Sequence, residues 1–296
     1  MKVGFVSIVG RPNAGKSTLL NSIIGEKVAI TSDKPQTTRN NIQGIYNDLD
    51  SQIIFVDTPG IHKPKNKLGK YLNRESYSSI EGVDLILFMI DASAPFGKGD
   101  EFILDKIKEE NINTFLIINK VDKINNEELF KLITDYKDKY DFKEIIPVSA
   151  IKEKNIDELL KTIKQYLNEG APIYSEDYYT DKSVKFMVSE LIREKVLRKT
   201  REEVPHAVTV VIENFEEKEK SIVINACIVV ERDGIKKILV GHNGEMIKSI
   251  GIDAREDIEK LVGKTVYLDL FVKTVNNWRD RDKLLVEFGF DENNFE

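Results

Sequence analysis

A lysine and a hydroxyl side by side after a glycine, Lys16 and Ser17 in Gly10-Arg11-Pro12-Asn13-Ala14-Gly15-Lys16-Ser17-Thr18, are the residue types that grip a polyphosphate and its metal ion. The stretch fits G-x-x-x-x-G-K-[ST] at every fixed position. A loop with Gly at both ends lets successive backbone N–H groups turn inward, while the following helix adds the positive end of its dipole. Lys16 then serves as a point charge on the β- and γ-phosphates, and the Ser17 hydroxyl ligates a Mg²⁺ that bridges them.

Other chemistry follows in a fixed order. Asp57-Thr58-Pro59-Gly60 stands about forty residues after the loop, where an Asp can hold Mg²⁺ through water and a Gly N–H can reach the γ-phosphate. Between them lies the polar run Thr31 to Asn40, without helical or strand period. It is expected to be a switch loop that brings a Thr to Mg²⁺, Thr38 first and Thr37 as the alternate. Asn119-Lys120-Val121-Asp122 fits N-K-x-D, in which a carboxylate accepts from the ring N–H and exocyclic amine of guanine, so GTP is favoured over ATP. Ser149-Ala150 can offer backbone N–H to the guanine carbonyl. The metal ligands are thus expected to be Ser17, Thr38 and Asp57.

Taken together, these motifs resemble a translation-factor-class GTPase. One departure matters. The residue after Gly60, where Ras-type proteins carry a water-orienting Gln, is Ile61, and an aliphatic side chain cannot orient water. The resemblance implies the subgroup with a hydrophobic replacement there, in which Asn13 helps place a K⁺. Its expected catalytic set is Lys16, Thr38, Gly60 and Asn13, with slow, K⁺-stimulated hydrolysis. A second mobile stretch is expected over Ile61 to Lys70, with His62 as a surface residue.

The elements that must hold these residues are legible in the hydrophobic pattern. Apolar, β-branched runs at Val3–Val9, Ile42–Asn47, Gln52–Asp57, Val83–Asp91, Thr114–Ile118 and Glu144–Val148 alternate with helical periods. That predicts an α/β domain over 1–170, a mostly parallel sheet with helices on both faces. Ligands of such sheets sit beyond the carboxyl ends of the strands, where the motifs fall. Gly170, Pro172 and the acidic run after them predict a linker over 171–182.

A second domain, 183–296, opens on an amphipathic helix (Val184, Met187, Val188, Leu191, Ile192, Val196) whose other face carries Arg193, Lys195, Arg198, Lys199 and Arg201. That face reads equally as a solvated basic surface or an RNA contact. Strands at Ala207–Glu213 and Ile222–Glu231 follow, joined by a charged turn. Gly241-His242-Asn243-Gly244 then separates two helical segments, as in the G-x-x-G clamp that lets a nucleic-acid backbone pass close to the protein. The competing reading is a helix-turn-helix corner with capping glycines. Lys236, Lys237, Ile247 and Lys248 flank the clamp and complete the expected RNA site. A strand at Val266–Val275 and a last helix complete an α+β order similar to a type II KH domain.

With both parts present, the chain resembles the Era family of bacterial GTPases. Ile192-Arg193-Glu194-Lys195, Pro205-His206, Val272-Lys273 and Asn277-Trp278-Arg279 look like that family's signature stretches. Trp278 is read as a core aromatic. The resemblance implies that the RNA is the 3′ end of small-subunit (16S) ribosomal RNA and the role is small ribosomal subunit maturation, with a peripheral membrane contact also attached to the family.

Composition sets limits on this reading. With 44 Lys+Arg against 50 Asp+Glu the net charge is -6, and residues 181–296 hold 20 basic against 23 acidic side chains. Wholesale coating of nucleic acid is excluded, and any RNA site is local. The same acidity supports the rival reading, a switch whose C-terminal module recruits a protein or membrane partner. The single cysteine, Cys227, rules out an intrachain disulfide and reads as a small buried hydrophobe. No apolar run reaches membrane-spanning length, so a monomer in the cytoplasm is expected.

Overall fold

The computed structural model describes residues 1–61 and 63–290, which leaves His62 outside the described residues. By compactness the chain forms two units: Met1–Thr31, Thr38–Lys63 and Leu72–Asp181 in the first; Ser32–Thr37, Pro64–Tyr71 and the chain from Lys182 on in the second.

In chain order the first part runs β1 (Lys2–Gly10), α1 (Lys16–Ile24), β2 (Ile42–Asn47), β3 (Ser51–Asp57), α2 (Lys67–Ser78), β4 (Leu85–Asp91) and α3 (Lys98–Glu110). It continues with β5 (Thr114–Asn119), α4 (Asn126–Lys137), β6 (Glu144–Pro147), α5 (Ile156–Tyr166) and β7 (Asn168–Glu169). The strands form one sheet in the order β2-β3-β1-β4-β5-β6, with β7 added antiparallel to β1. The β1–β3, β1–β4, β4–β5 and β5–β6 pairings are parallel, and β2 is antiparallel to β3. Every residue of β3 and β5 is buried, which is why their middles, 53–56 and 115–118, read as unbroken apolar runs. On α5, Ile156, Leu159, Leu160 and Ile163 repeat at three- and four-residue steps and form its buried stripe.

One boundary and one strand differ from the sequence reading. Helix α2 begins at Lys67, within the stretch expected to be mobile. Strand β7 has no signal in the sequence: two polar residues pair with β1 because the chain leaving α5 passes beside it.

The stretch read as a linker is laid along the first unit. The Gln52 side chain accepts from the backbone N–H of Ile173 and Tyr174 and donates to the Tyr174 carbonyl. The Ile45 N–H donates to the Tyr179 carbonyl at 2.9 Å, and Gly44 forms an antiparallel bridge with Thr180. Residues 173–181 thus cover the outer edge of β2.

The second unit contains α6 (Val184–Lys199), β8 (Val208–Glu217), β9 (Ser221–Val230), α7 (Asp233–Val240), α8 (Glu245–Val262), β10 (Thr265–Thr274) and α9 (Asp282–Glu287). Its sheet is ordered β10-β9-β8, with β9 antiparallel to β8 and parallel to β10. The α7–α8 pair is the crossover that a parallel β9–β10 pair requires. This is an α+β unit following an α/β unit. Strand β8 runs four residues past its expected end, through a register shift between Ile212 and Asn214, because the polar outer half of a hairpin looks like a turn in sequence.

The basic face assigned to α6 is also corrected. Arg193 and Lys195 are buried: Arg193 pairs with Glu190, and Lys195 with Asp257 of α8. Lys199 pairs with Asp253 at 2.7 Å and Arg198 with the buried Glu194 at 3.0 Å. Two carboxylates four residues apart on α8 meet two lysines four residues apart on α6, so these charges join helices. Trp278 is fully buried, its indole N–H donating to the Ala207 carbonyl at 3.3 Å. Cys227 is buried as expected, and burial pushes its thiol up to about 11.

Candidate functional site

The loop between β1 and α1 wraps the start of α1, so Gly10 ends a strand, Gly15 caps a helix, and Ser17 and Thr18 stand in that helix's first turn. Lys16 is buried, and its ammonium donates to the carbonyls of Gly10 and Arg11, each at 3.2 Å. Burial lowers its pKa to about 8, partly offset by the Asp57 charge. Burial likewise raises the Asp57 carboxyl, with Lys16 opposing the shift. Both groups are placed for a ligand that brings opposite charge to each.

Three oxygens converge beside them. Ser17 Oγ donates to Asp57 Oδ2 at 2.6 Å, Thr38 Oγ1 donates to the same atom at 3.2 Å, and the two hydroxyls lie 2.9 Å apart. Among the described residues Asp57 Oδ1 is buried with no hydrogen-bond partner. Hard oxygen donors around an orphaned carboxylate oxygen fit Mg²⁺. Thr37 Oγ1 turns to the Lys34 carbonyl at 2.7 Å, whereas Thr38 joins the oxygen set.

Of the Asp57–Gly60 run, Thr58 is spent on structure, its hydroxyl donating to the Ile8 carbonyl, and the Pro59 carbonyl accepts from Ser76. Gly60 lies against the phosphate loop so closely that a Cβ there would sit 2.7 Å from Pro12 N and 2.8 Å from Pro12 Cα. Any larger residue would push the two loops apart. Ile61 is buried in the cluster of Val9, Ile80, Ile86 and Phe88.

The guanine-reading residues divide in a way the sequence did not reveal. Asn119 is buried and its amide is committed to backbone, with Nδ2 donating to Ala14 O at 2.8 Å and Oδ1 accepting from Ala150 N at 3.0 Å. It staples the phosphate loop to the 149–150 loop, and one N–H of its amide stays available. The expected backbone donors there already have acceptors, because Ser149 N–H donates to Lys154 O and Ala150 N–H to Asn119. Asp122 is exposed, and Ser149 Oγ donates to its Oδ1 at 2.6 Å, which holds the carboxyl below the usual range. Lys120 braces the loop from the same side, donating to Asn13 O at 2.7 Å and to Asp91 Oδ2 at 2.5 Å.

In the second unit, α7 ends at Gly241 with Lys236 and Lys237 exposed, and α8 starts after Gly244 with Lys248 exposed. His242 and Asn243 form the exposed corner, Asn243 with φ 49°. Gly244 has φ +79° and open space beside it, whereas a Cβ on Gly241 (φ +73°) would meet Met246 Cβ at 2.7 Å. Next to this corner lies a groove of about 490 Å³ between α8 and β10. Ile247 and Lys248, both expected, share its lining with Gly251, Ile252, Arg255 and Tyr267. Those four escaped the sequence reading. Gly251, a helix-interior glycine one turn after Ile247, was the available signal, since such a residue costs about 1 kcal/mol unless space is needed.

Comparison with known proteins places both units. Residues 5–120 match the family model described as 50S ribosome-binding GTPase, and residues 203–279 match the KH domain model. The chain is similar to Aquifex aeolicus Era, solved as a point variant bound to GDP·AlF4⁻, at 43% identity and TM-score 0.95 over 98% of this chain and 99% of that one. It is similar to the same extent, by all four measures, to Era in complex with MgGDPNP and nucleotides 1506–1542 of 16S ribosomal RNA.

Proposed function

This chain belongs to the Era family of GTPases, and on that premise we propose that it is a GTP-hydrolysing switch that binds the 3′ end of 16S ribosomal RNA through its KH domain and acts in small-subunit assembly. One observation carries the reading: the relative that holds both a GTP analogue and 16S RNA matches this chain across both domains, at 43% identity. The family model named for 50S binding covers only residues 5–120, and the KH domain lies outside it. Small-subunit RNA is therefore the better assignment.

The reaction is attack of water on the γ-phosphate to give GDP and phosphate. Loop N–H groups and Lys16 hold the β- and γ-phosphates, and Asp122 accepts from the guanine edge. Thr38 and Gly60 bracket the γ-phosphate and report its presence through their two loops. Ser17, Thr38 and Asp57 would hold Mg²⁺, which supplies charge neutralisation across the phosphates. With Ile61 buried, water is placed by backbone groups, and turnover is slow. Asn13 would help hold a K⁺, which would supply positive charge at the phosphates. Hydrolysis is expected to be severalfold faster in K⁺ than in Na⁺ buffer, a difference that Asn13→Ala should abolish. Equal rates in the two salts would dismiss the ion.

RNA binding occupies Gly241 to Gly244 with Lys236, Lys237, Ile247 and Lys248, and continues into the α8–β10 groove. We place the chain in the cytoplasm as a monomer. Among the described residues no helix is long and apolar enough to cross a membrane, and a peripheral contact with the inner membrane face rests on the family resemblance alone. The test is binding of a 16S 3′-end oligonucleotide at fixed salt, with the protein loaded first with a non-hydrolysable GTP analogue and then with GDP. Tight binding that weakens at least tenfold in GDP is expected. Equal binding in both states would remove the switch, and no binding in either would favour a protein partner for the C-terminal module.

A further inference from the structure

We propose that Asp100 is a positioning residue for the phosphate loop, acting through the Arg11 guanidinium. Arg11 NH1 donates to Asp100 Oδ2 at 2.9 Å and to the Pro95 carbonyl at 3.2 Å. Asp100 Oδ2 also accepts from Gly97 N at 3.0 Å, the first-turn cap of α3. The Asp100 side chain is 2% exposed and that of Arg11 40%. A helix cap needs no burial, and a buried carboxylate is costly without a cation, so the pairing with Arg11 is what makes this placement tolerable.

The other end of the same segment performs a matching task. Asp91 holds Lys120, whose ammonium donates to Asn13 O. Residues 91 and 100 therefore fix loop positions 13 and 11, each through a cation, with Pro12 between them. A partly open pocket of about 60 Å³ adjoins this crest, lined by Arg11, Pro12, Ala14, Asp91, Asp100 and Tyr136. Packing there is incomplete, and the two tethers add to it. A loop whose N–H groups must meet phosphate oxygens gains affinity from being fixed beforehand.

The inference rests on the GTPase reading. Wild-type GDP binding and turnover, measured in the same series, separate a failure of that reading from a failure of this one. The experiment is release of a fluorescent GDP from wild type, Arg11→Ala, Asp100→Asn and the double variant. Asp100→Asn keeps an acceptor for the Gly97 N–H, so α3 retains its cap if Arg11→Ala proves poorly folded. Each single change is expected to speed release roughly tenfold, with the double no faster than the faster single, as befits one coupled pair. Arg11→Lys should recover part of the slow release, and the preference for GDP over IDP should stay unchanged. Release within twofold of wild type in both singles, effects that multiply in the double, or losses that follow melting temperature would each overturn it.

Discussion

Asp122→Asn should lower GTP affinity by about 10³-fold or more and allow XTP to bind in its place, as judged by competition with a fluorescent guanine nucleotide. Guanine presents two donors, the ring N–H and the exocyclic amine, and a carboxylate supplies two acceptors. An amide supplies one acceptor and one donor, so the guanine amine would face an N–H group. Xanthine carries a carbonyl at that position and matches the amide. The site is prepared for the swap, since Ser149 Oγ donates to Asp122 Oδ1 and can donate equally to an amide oxygen. GTP affinity within threefold of wild type would show that guanine is read elsewhere.

Gly244→Asp is the second large effect, a loss of RNA affinity on the order of 100-fold with GTP turnover within twofold of wild type. A carboxylate at the corner would both block and repel a phosphate backbone. Position 244 is the clean place to test this, because a Cβ there meets open space and Asp tolerates a φ near +79° better than most residues. At Gly241 the new side chain would collide with Met246, and loss of binding would be confounded with loss of fold. Gly244→Asn, with the same backbone demand and no charge, should lose less. Undiminished RNA affinity in Gly244→Asp, measured by filter binding or anisotropy, would leave the α7–α8 corner as a structural cap and favour the protein-recruiting reading.

Contiguous motifs were legible because their chemistry is local. The run from Gly10 to Ser17 folds as a loop on its own glycines, and Asp57 and Asp122 sit at or just beyond strand ends, where an α/β sheet presents ligands. What stayed hidden depends on partners far away in sequence. Asn119 is legible as part of the N-K-x-D motif, but its bonds to Ala14 and Ala150, 105 and 31 residues distant, are not. Arg193 and Lys195 looked solvated because a helical period reveals which face is apolar and nothing about which charges are buried with an acid partner, Glu190 on the same helix for Arg193 and Asp257 on α8 for Lys195. Asp100 carried no motif at all, and its meaning lies 89 residues away in Arg11.

The covering of β2 by residues 173–181 bears on how the molecule can be divided. An uncovered edge strand presents a row of unpaired N–H and C=O groups that templates pairing with another molecule. A fragment that stops at residue 170, where helical periodicity ends, would strip Tyr179 and Thr180 from Ile45 and Gly44 and leave that row bare. The natural scissors line for an isolated nucleotide-binding fragment falls after Asp181, whose carboxylate accepts the last of these bonds, from the Gln43 N–H. A cut made upstream would leave the fragment with an adhesive edge.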